Sequence, residues 1–182
     1  MRVLVPLADG FEEMEGIIII DVLRRAGLEV VVAGVDKKEI VASRKTKHIA
    51  DYLLDEVKDW EFDAIVLPGG SEGANRLAIN KIIKEILEKL NQQNKLIGAI
   101  CAAPNVLLKH NILTEENTFT LHPNTLPKEH KAKYVDERVV RSQNLFTSKG
   151  PGTAFEFALA IVEELCGIET RKKVEEPMFV KL

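Results

Sequence analysis

Residues 1–35 read MRVLVPLADGFEEMEGIIIIDVLRRAGLEVVVAGV, and their order decides the fold. The apolar run Val3 to Leu7 has the character of a buried strand. It gives way to an amphipathic stretch from Glu13 to Ala26 that stops at Gly27, as helices commonly do. A second apolar run, Leu28 to Val35, follows at once. A strand, a helix of crossover length and another strand imply two parallel strands joined by a right-handed connection.

The alternation continues along the chain. Phe62 to Leu67 is apolar and ends in Pro68-Gly69-Gly70, and the segment Asn80 to Gln92 places Ile82, Ile83, Ile86, Leu87 and Leu90 on one helical face. Leu96 to Ile100 is the next buried strand. Ala102 to Lys109 reads as a helix with Pro104 in its first turn, where a missing N–H costs little. A strand ending at Phe146 to Ser148 runs into Gly150-Pro151-Gly152. Thr153 with Glu156 then predicts a capping box for a helix reaching about Leu165 and closed by Gly167. Shorter β-like segments at Val41 to Ile49 and Thr118 to Asn144 predict a hairpin and an edge extension. The expected architecture is α/β: one domain over residues 1–182, a flavodoxin-like doubly wound parallel sheet sandwiched by helices.

With 182 residues the chain is long enough for one well-buried core and short for two α/β domains. Its charge of −3, with acidic and basic residues interleaved, offers no stripe to hold nucleic acid or anionic lipid. The expected partner is a small molecule or a protein. Charged residues follow the first apolar run too closely for a signal peptide, and no apolar stretch approaches spanning length. Two cysteines, Cys101 and Cys166, make no disulfide framework, so a reducing, cytoplasmic setting is expected.

In a parallel sheet, ligands bind beyond the carboxyl ends of the strands. Three loops converge there: Ala8 to Glu15, Gly69 to Gly73, and Cys101 to Pro104. Cys101 lies between an apolar strand and a helix, flanked by Gly98, Ala99, Ala102 and Ala103, which is the arrangement of a nucleophile elbow. A helix N-terminus beside it is expected to lower the thiol pKa and to offer N–H groups to an oxyanion. The plainer reading of Cys101 is a buried core thiol. Cys166, beside Leu165 and Gly167 at a helix end, has no polar company and reads as structural.

Glu12, Glu13 and Glu15 open the first helix, where acidic residues suit the helix dipole. Glu15 is expected to turn toward the apolar sheet edge, with a raised pKa and a proton to share with a thiolate, while Glu12 faces water. The turn at Gly69 and Gly70 lets backbone approach a ligand. Of the four histidines, His122 ends a β-like segment from which it could reach the site, whereas His48, His110 and His130 read as solvated.

The stretches Ala8-Asp9-Gly10-Phe11-Glu12-Glu13-Met14-Glu15, Val66-Leu67-Pro68-Gly69-Gly70, Ala99-Ile100-Cys101-Ala102 and Thr147-Ser148-Lys149-Gly150-Pro151-Gly152-Thr153-Ala154-Phe155-Glu156-Phe157-Ala158-Leu159 resemble the DJ-1/ThiJ/PfpI superfamily, its DJ-1 branch above all. The match covers almost the whole chain with the motifs in order. The resemblance implies a homodimer with a catalytic Cys101 hydrogen-bonded to a protonated Glu15, oxyanion-hole N–H groups from Gly70 and Ala102, and His122 nearby. It further implies that Gly69, Arg44 and Arg25 belong to the substrate pocket, and that neither metal nor cofactor is required.

The activities it implies are glutathione-independent glyoxalase and deglycase chemistry on methylglyoxal and glyoxal or their glycated adducts, giving 2-hydroxy acids. The alternative is an oxidative-stress sensor or redox-regulated chaperone using the same cysteine. Protease-like relatives carry a histidine directly after the cysteine, where this chain has Ala102. None of the four histidines stands in the His-x-Glu arrangement of a glutaminase. Two further departures are Ala103, where glycine is usual, and Leu121, where a polar residue is common.

Overall fold

The computed structural model describes residues 1–180. Eleven strands and seven helices follow in the order β1 (Arg2–Leu7), α1 (Glu13–Arg25), β2 (Glu29–Gly34), β3 (Glu39–Val41), β4 (Lys47–Ile49), β5 (Tyr52–Leu53), α2 (Leu54–Val57), β6 (Ala64–Leu67), α3 (Ser71–Ile79), α4 (Lys81–Gln92), β7 (Leu96–Ile100), α5 (Pro104–Lys109), β8 (Thr118–Phe119), β9 (Lys133–Tyr134), β10 (Val139–Ser142), β11 (Leu145–Ser148), α6 (Ala154–Cys166) and α7 (Ile168–Glu175).

Seven strands form the main sheet in the order β10-β11-β7-β6-β1-β2-β5. All neighbours in it are parallel except β10 and β11, which are antiparallel, so the sheet is mixed at that edge. The hairpin expected around Val41 to Ile49 is the β3–β4 pair. The segment Thr118 to Asn144 supplies the β8–β9 pair and the edge strand β10.

Period-two alternation sorts the strand side chains onto two cores. Val3, Val5, Leu7, Ala64, Val66 and Ile100 join the side chains of α1 and α6 on one face. Leu4, Ile65, Leu67, Ile97 and Ala99 join those of α3, α4 and α5 on the other. Helix α1 contains four consecutive isoleucines, a weak helical run by propensity alone. Burial of Ile19, Ile20, Val22 and Leu23 against the sheet and α6 overrides it.

Two expectations change. Thr153 and Glu156 form no capping box: the Thr153 hydroxyl bonds Ser148 and both polar groups of Gly150, and Glu156 pairs with Arg138. The tight 150–153 turn needs that hydroxyl more than the helix does. Helix α3, starting directly after Gly70, was not expected from the sequence. Its apolar residues Ala74, Leu77 and Ala78 are small or few, and the two glycines before it mimic a loop. Among the described residues, no helix is long and apolar enough to cross a membrane.

Candidate active site at the sheet edge

Strand β7 delivers Cys101 into a turn in which its φ is +63°, a left-handed conformation unusual for a side-chain-bearing residue. The backbone is pinned on both sides: Cys101 N–H donates to Ser148 O at 2.9 Å, and Cys101 O accepts from His122 N–H at 3.0 Å. Strand β11 and the His122 segment thus over-determine the strain, as they must for such a turn to persist. The elbow read from the sequence is present. The thiol is 9% exposed and lines a cavity of about 570 Å³ together with Gly70, Glu12, Arg44, Lys45 and His122.

Beneath the thiol sits Glu15, fully buried. Its Oε2 accepts from Gly69 N–H at 2.8 Å, its Oε1 is buried without a hydrogen-bond partner among the described residues, and the carboxyl lies close enough to Cys101 for its charge to act on the thiol. Gly69 is required here by close approach. A Cβ at that position would lie 2.5 Å from the Cys101 Cβ and 2.7 Å from Glu15 Oε2. The sequence reading gave Gly69 to the substrate pocket, whereas the structure places it between the acid and the thiol. Gly70 adopts φ +86°, which turns the chain into α3 and directs its N–H, with that of Ala102, to the Cys101 sulfur.

Burial pushes Glu15 up to about 8; the Gly69 N–H works against the rise, and the charge of Glu12 adds to it. The thiol behaves differently from the expectation of a depressed pKa. Burial, then the Glu15 charge, push Cys101 up to about 12 against the opposing pull of the Gly70 and Ala102 N–H groups. A raised acid touching a raised thiol is a coupled pair, and its protons belong to the pair rather than to either residue.

The three glutamates of the first turn have three fates. Glu12 does not face water: it is 8% exposed and caps α1, its Oε2 accepting from Glu15 N–H at 2.8 Å. Its backbone N–H is tied to Gly69 O at 3.0 Å. Glutamate is outside the usual set of capping residues, so the sequence rules pass over it. Glu13 reaches across to the β3–β4 turn and accepts from Ser43 Oγ at 2.8 Å, Arg44 N–H at 2.8 Å and Thr46 Oγ1 at 3.1 Å. Burial would raise Glu13, and these hydrogen bonds outweigh it, so its pKa is lowered. This clamp, which no local motif signals, fixes Arg44 and Lys45 at the rim of the cavity.

His122 borders the cavity, and its Nδ1 accepts from Asn124 N–H at 3.3 Å, which leaves the proton of the neutral ring on Nε2. Gly150 lies between His122 and Glu15: a Cβ there would be 3.7 Å from His122 Cδ2 and 3.9 Å from Glu15 Oε1. Arg25 is not brought to the cavity. It pairs with Asp21 at 2.6 Å on the exposed last turn of α1, about 15 Å along the helix from Glu15. Cys166 is half-buried at the end of α6, and both cysteines are free thiols.

Residues 1–164 match the DJ-1/PfpI family model. The chain is 46% identical over 169 residues to Protein DJ-1 homolog B of Arabidopsis thaliana, covering 92% of this chain and only 39% of that longer protein. It is 45% identical over 186 residues to the Parkinson disease protein 7 homolog of Danio rerio, covering 99% and 97% of the two chains. The glutathione-independent glyoxalase DJR-1.2 of Caenorhabditis elegans is 42% identical over 176 residues, covering 97% and 94%. The crystal structure of Drosophila melanogaster DJ-1beta superposes with a TM-score of 0.93 at 42% identity, covering 100% and 98%.

Proposed function

We propose, starting from the fact that the chain belongs to the DJ-1/PfpI family, that it converts reactive 1,2-dicarbonyls such as methylglyoxal and glyoxal into 2-hydroxy acids without glutathione. The observation that carries this reading is the strained Cys101 thiol in contact with a buried Glu15 carboxyl whose pKa is raised to about 8. The relative named a glutathione-independent glyoxalase, similar along nearly its whole length, supports the same reaction class.

The chemistry uses the coupled pair. When its single charge rests on sulfur, Glu15 is neutral and the thiolate is met by the N–H groups of Gly70 and Ala102. That thiolate adds to the aldehyde carbon, and the new oxyanion takes over those N–H groups. Glu15 gives its proton to the hemithioacetal oxyanion and, now a carboxylate, takes the C1 proton and returns it at C2 as the C1 hydroxyl proton passes to the C2 oxygen, leaving a 2-hydroxyacyl thioester and an ionised Glu15. Water releases the 2-hydroxy acid. The roughly 570 Å³ cavity has room for a larger glycated group, consistent with deglycase activity.

A redox reading draws on the same atoms: oxidation of Cys101 to the sulfinic acid would place oxygens where Glu15, Gly70 and Ala102 offer hydrogen bonds. We also place the protein as a homodimer, since Met14 and Ile17 on α1 and Phe155 on the adjoining α6 leave apolar side chains exposed beside the cavity. Two free cysteines suit a reduced cytoplasm. Incubation with methylglyoxal in glutathione-free buffer is expected to yield lactate, measured enzymatically. Absence of lactate above the no-enzyme control ends the catalytic reading.

A further inference from the structure

The mechanism so far leaves one step without an agent: removal of a proton from the water that hydrolyses the thioester. The cavity narrows the choice. Glu15 is fully buried beneath the thiol and does not line the cavity, so a water held there does not reach it. His122 already uses Nδ1 as an acceptor from Asn124, so the nitrogen left to the cavity is a donor. Glu72, in the first turn of α3, also lines the cavity but is paired with Arg76 at 2.9 Å. Lys45 and Arg44 are cations. Glu12 is the remaining carboxylate lining the cavity, and it forms none of the structure's ion pairs among the described residues.

Glu12 is also held where a base must be held. Its main chain is bonded to Gly69, and a Cβ on Gly70 would fall 2.7 Å from Glu12 N, so Glu12 sits directly against the residue whose N–H meets the sulfur. One carboxylate oxygen is fixed by the Glu15 N–H at the start of α1, which locks the side chain on its rotamer. We propose that Glu12 is the general base of the hydrolytic half-reaction, its second oxygen holding the attacking water in the cavity against the Cys101 thioester. The proposal rests on the glyoxalase reading of the site.

In this step water oxygen bonds to the thioester carbonyl carbon while its proton passes to Glu12. The tetrahedral oxyanion is held by Gly70 and Ala102. Collapse breaks the C–S bond, the electron pair leaves on sulfur, and the 2-hydroxy acid departs. Glu12 then passes its proton back to Glu15 by way of water, which restores the neutral acid beside the thiolate. Two carboxyls three residues apart thereby divide the work, a buried one for the proton shift and a cavity-facing one for release.

The test is Glu12→Gln, which keeps an oxygen to cap α1. With methylglyoxal, lactate release should fall about 100-fold, and intact-protein mass spectrometry should show Cys101 heavier by one methylglyoxal. That adduct should survive dilution, as a hemithioacetal would not, and be released by hydroxylamine as the hydroxamate. Glu12→Asp keeps both cap and charge, so it guards against a Gln variant that fails to fold; it should release lactate faster than Gln and more slowly than wild type. Wild-type release by the Gln variant, or slowed release by the Gln variant with no trapped thioester, overturns the role of Glu12. If Cys101→Ala still makes lactate at the wild-type rate, the glyoxalase reading itself has failed, whatever Glu12 does.

Discussion

The two thiols of this protein, one at the end of β7 and one at the end of α6, stand in opposite relations to the fold. Burial raises the pKa of both. Cys101, however, is bent into a left-handed turn, touches a carboxyl, faces two backbone N–H groups and opens on a cavity. Cys166 closes a helix, and among the described residues its carbonyl is the one group of it with a side-chain partner, the Thr170 hydroxyl at 3.0 Å. Burial alone therefore does not make a cysteine functional. The difference lies in what the surrounding backbone is forced to do.

The sharpest way to break this contrast is to remove each sulfur. Cys101→Ala should lower dicarbonyl turnover on the order of 1,000-fold or more, the scale on which loss of a nucleophile is felt. Steady-state lactate formation measures it. A residual rate within a few-fold of wild type would put the chemistry elsewhere.

Glu15→Gln comes next and separates proton transfer from nucleophilicity. Turnover should fall about 100-fold, since Gln cannot carry the proton. Above pH 8, where wild-type Glu15 is ionised, the Cys101 thiol of the Gln variant, freed of the charge that pushes it up, should react faster with iodoacetamide than in wild type. The same substitution changes stability with pH. The folded chain keeps the Glu15 proton up to about 8, while the unfolded chain loses it near 4.5. Wild type is thus favoured fully below 4.5 and loses that contribution as pH rises toward 8. Relative to wild type, the Gln variant should gain on the order of a few kcal/mol across that window, read by urea unfolding at pH 5 and pH 8. A constant difference between the two proteins would mean that Glu15 is ionised in the folded state.

Two glycines give a smaller and more local test of the same contrast. Gly69→Ala would drive a methyl against the Cys101 Cβ and 2.7 Å from Ile100 O, which is backbone and cannot swing aside. It should cost about 1–3 kcal/mol and impair turnover. Gly167→Ala, beside the other cysteine, meets no atom within 4 Å and carries only the strain of φ +83°. Its cost should be about 1–2 kcal/mol, with turnover intact. Thermal melts and lactate assays on the pair distinguish crowding of a site from strain of a turn.

Much of this contrast was legible in the sequence. Continuous apolar runs and a 3.6-residue helix pattern specify the doubly wound sheet, and an apolar strand entering a helix through Cys101 among small residues specifies the elbow. The placement of Glu15 was legible too, because a carboxyl one turn into a buried helix must point at the strand ends. What stayed hidden depends on long-range hydrogen bonds. Glu12 looked solvated because glutamate rarely caps, and Glu13 looked like dipole decoration because its three partners lie 30 or more residues away. The depressed thiol pKa inferred from the helix end was outweighed by burial and by the Glu15 charge, neither of which composition or spacing can weigh. Arg25, placed in the pocket by family position, sits on a remote turn of the protomer.

The smallest expected effect completes the contrast. Cys166→Ala removes a half-buried sulfur packed at the margin of the α1–α6 core. It touches no group of the cavity, so turnover should stay within a factor of two, and stability should fall by no more than about 1 kcal/mol. Mild peroxide followed by peptide mass spectrometry is the companion measurement. Oxidation to the sulfinic acid should concentrate at Cys101, where Gly70 and Ala102 N–H groups receive the new oxygens, and remain minor at Cys166. Equal oxidation at the two sites would show that the elbow presents its sulfur without tuning it, and both the catalytic and the redox readings would lose their physical basis.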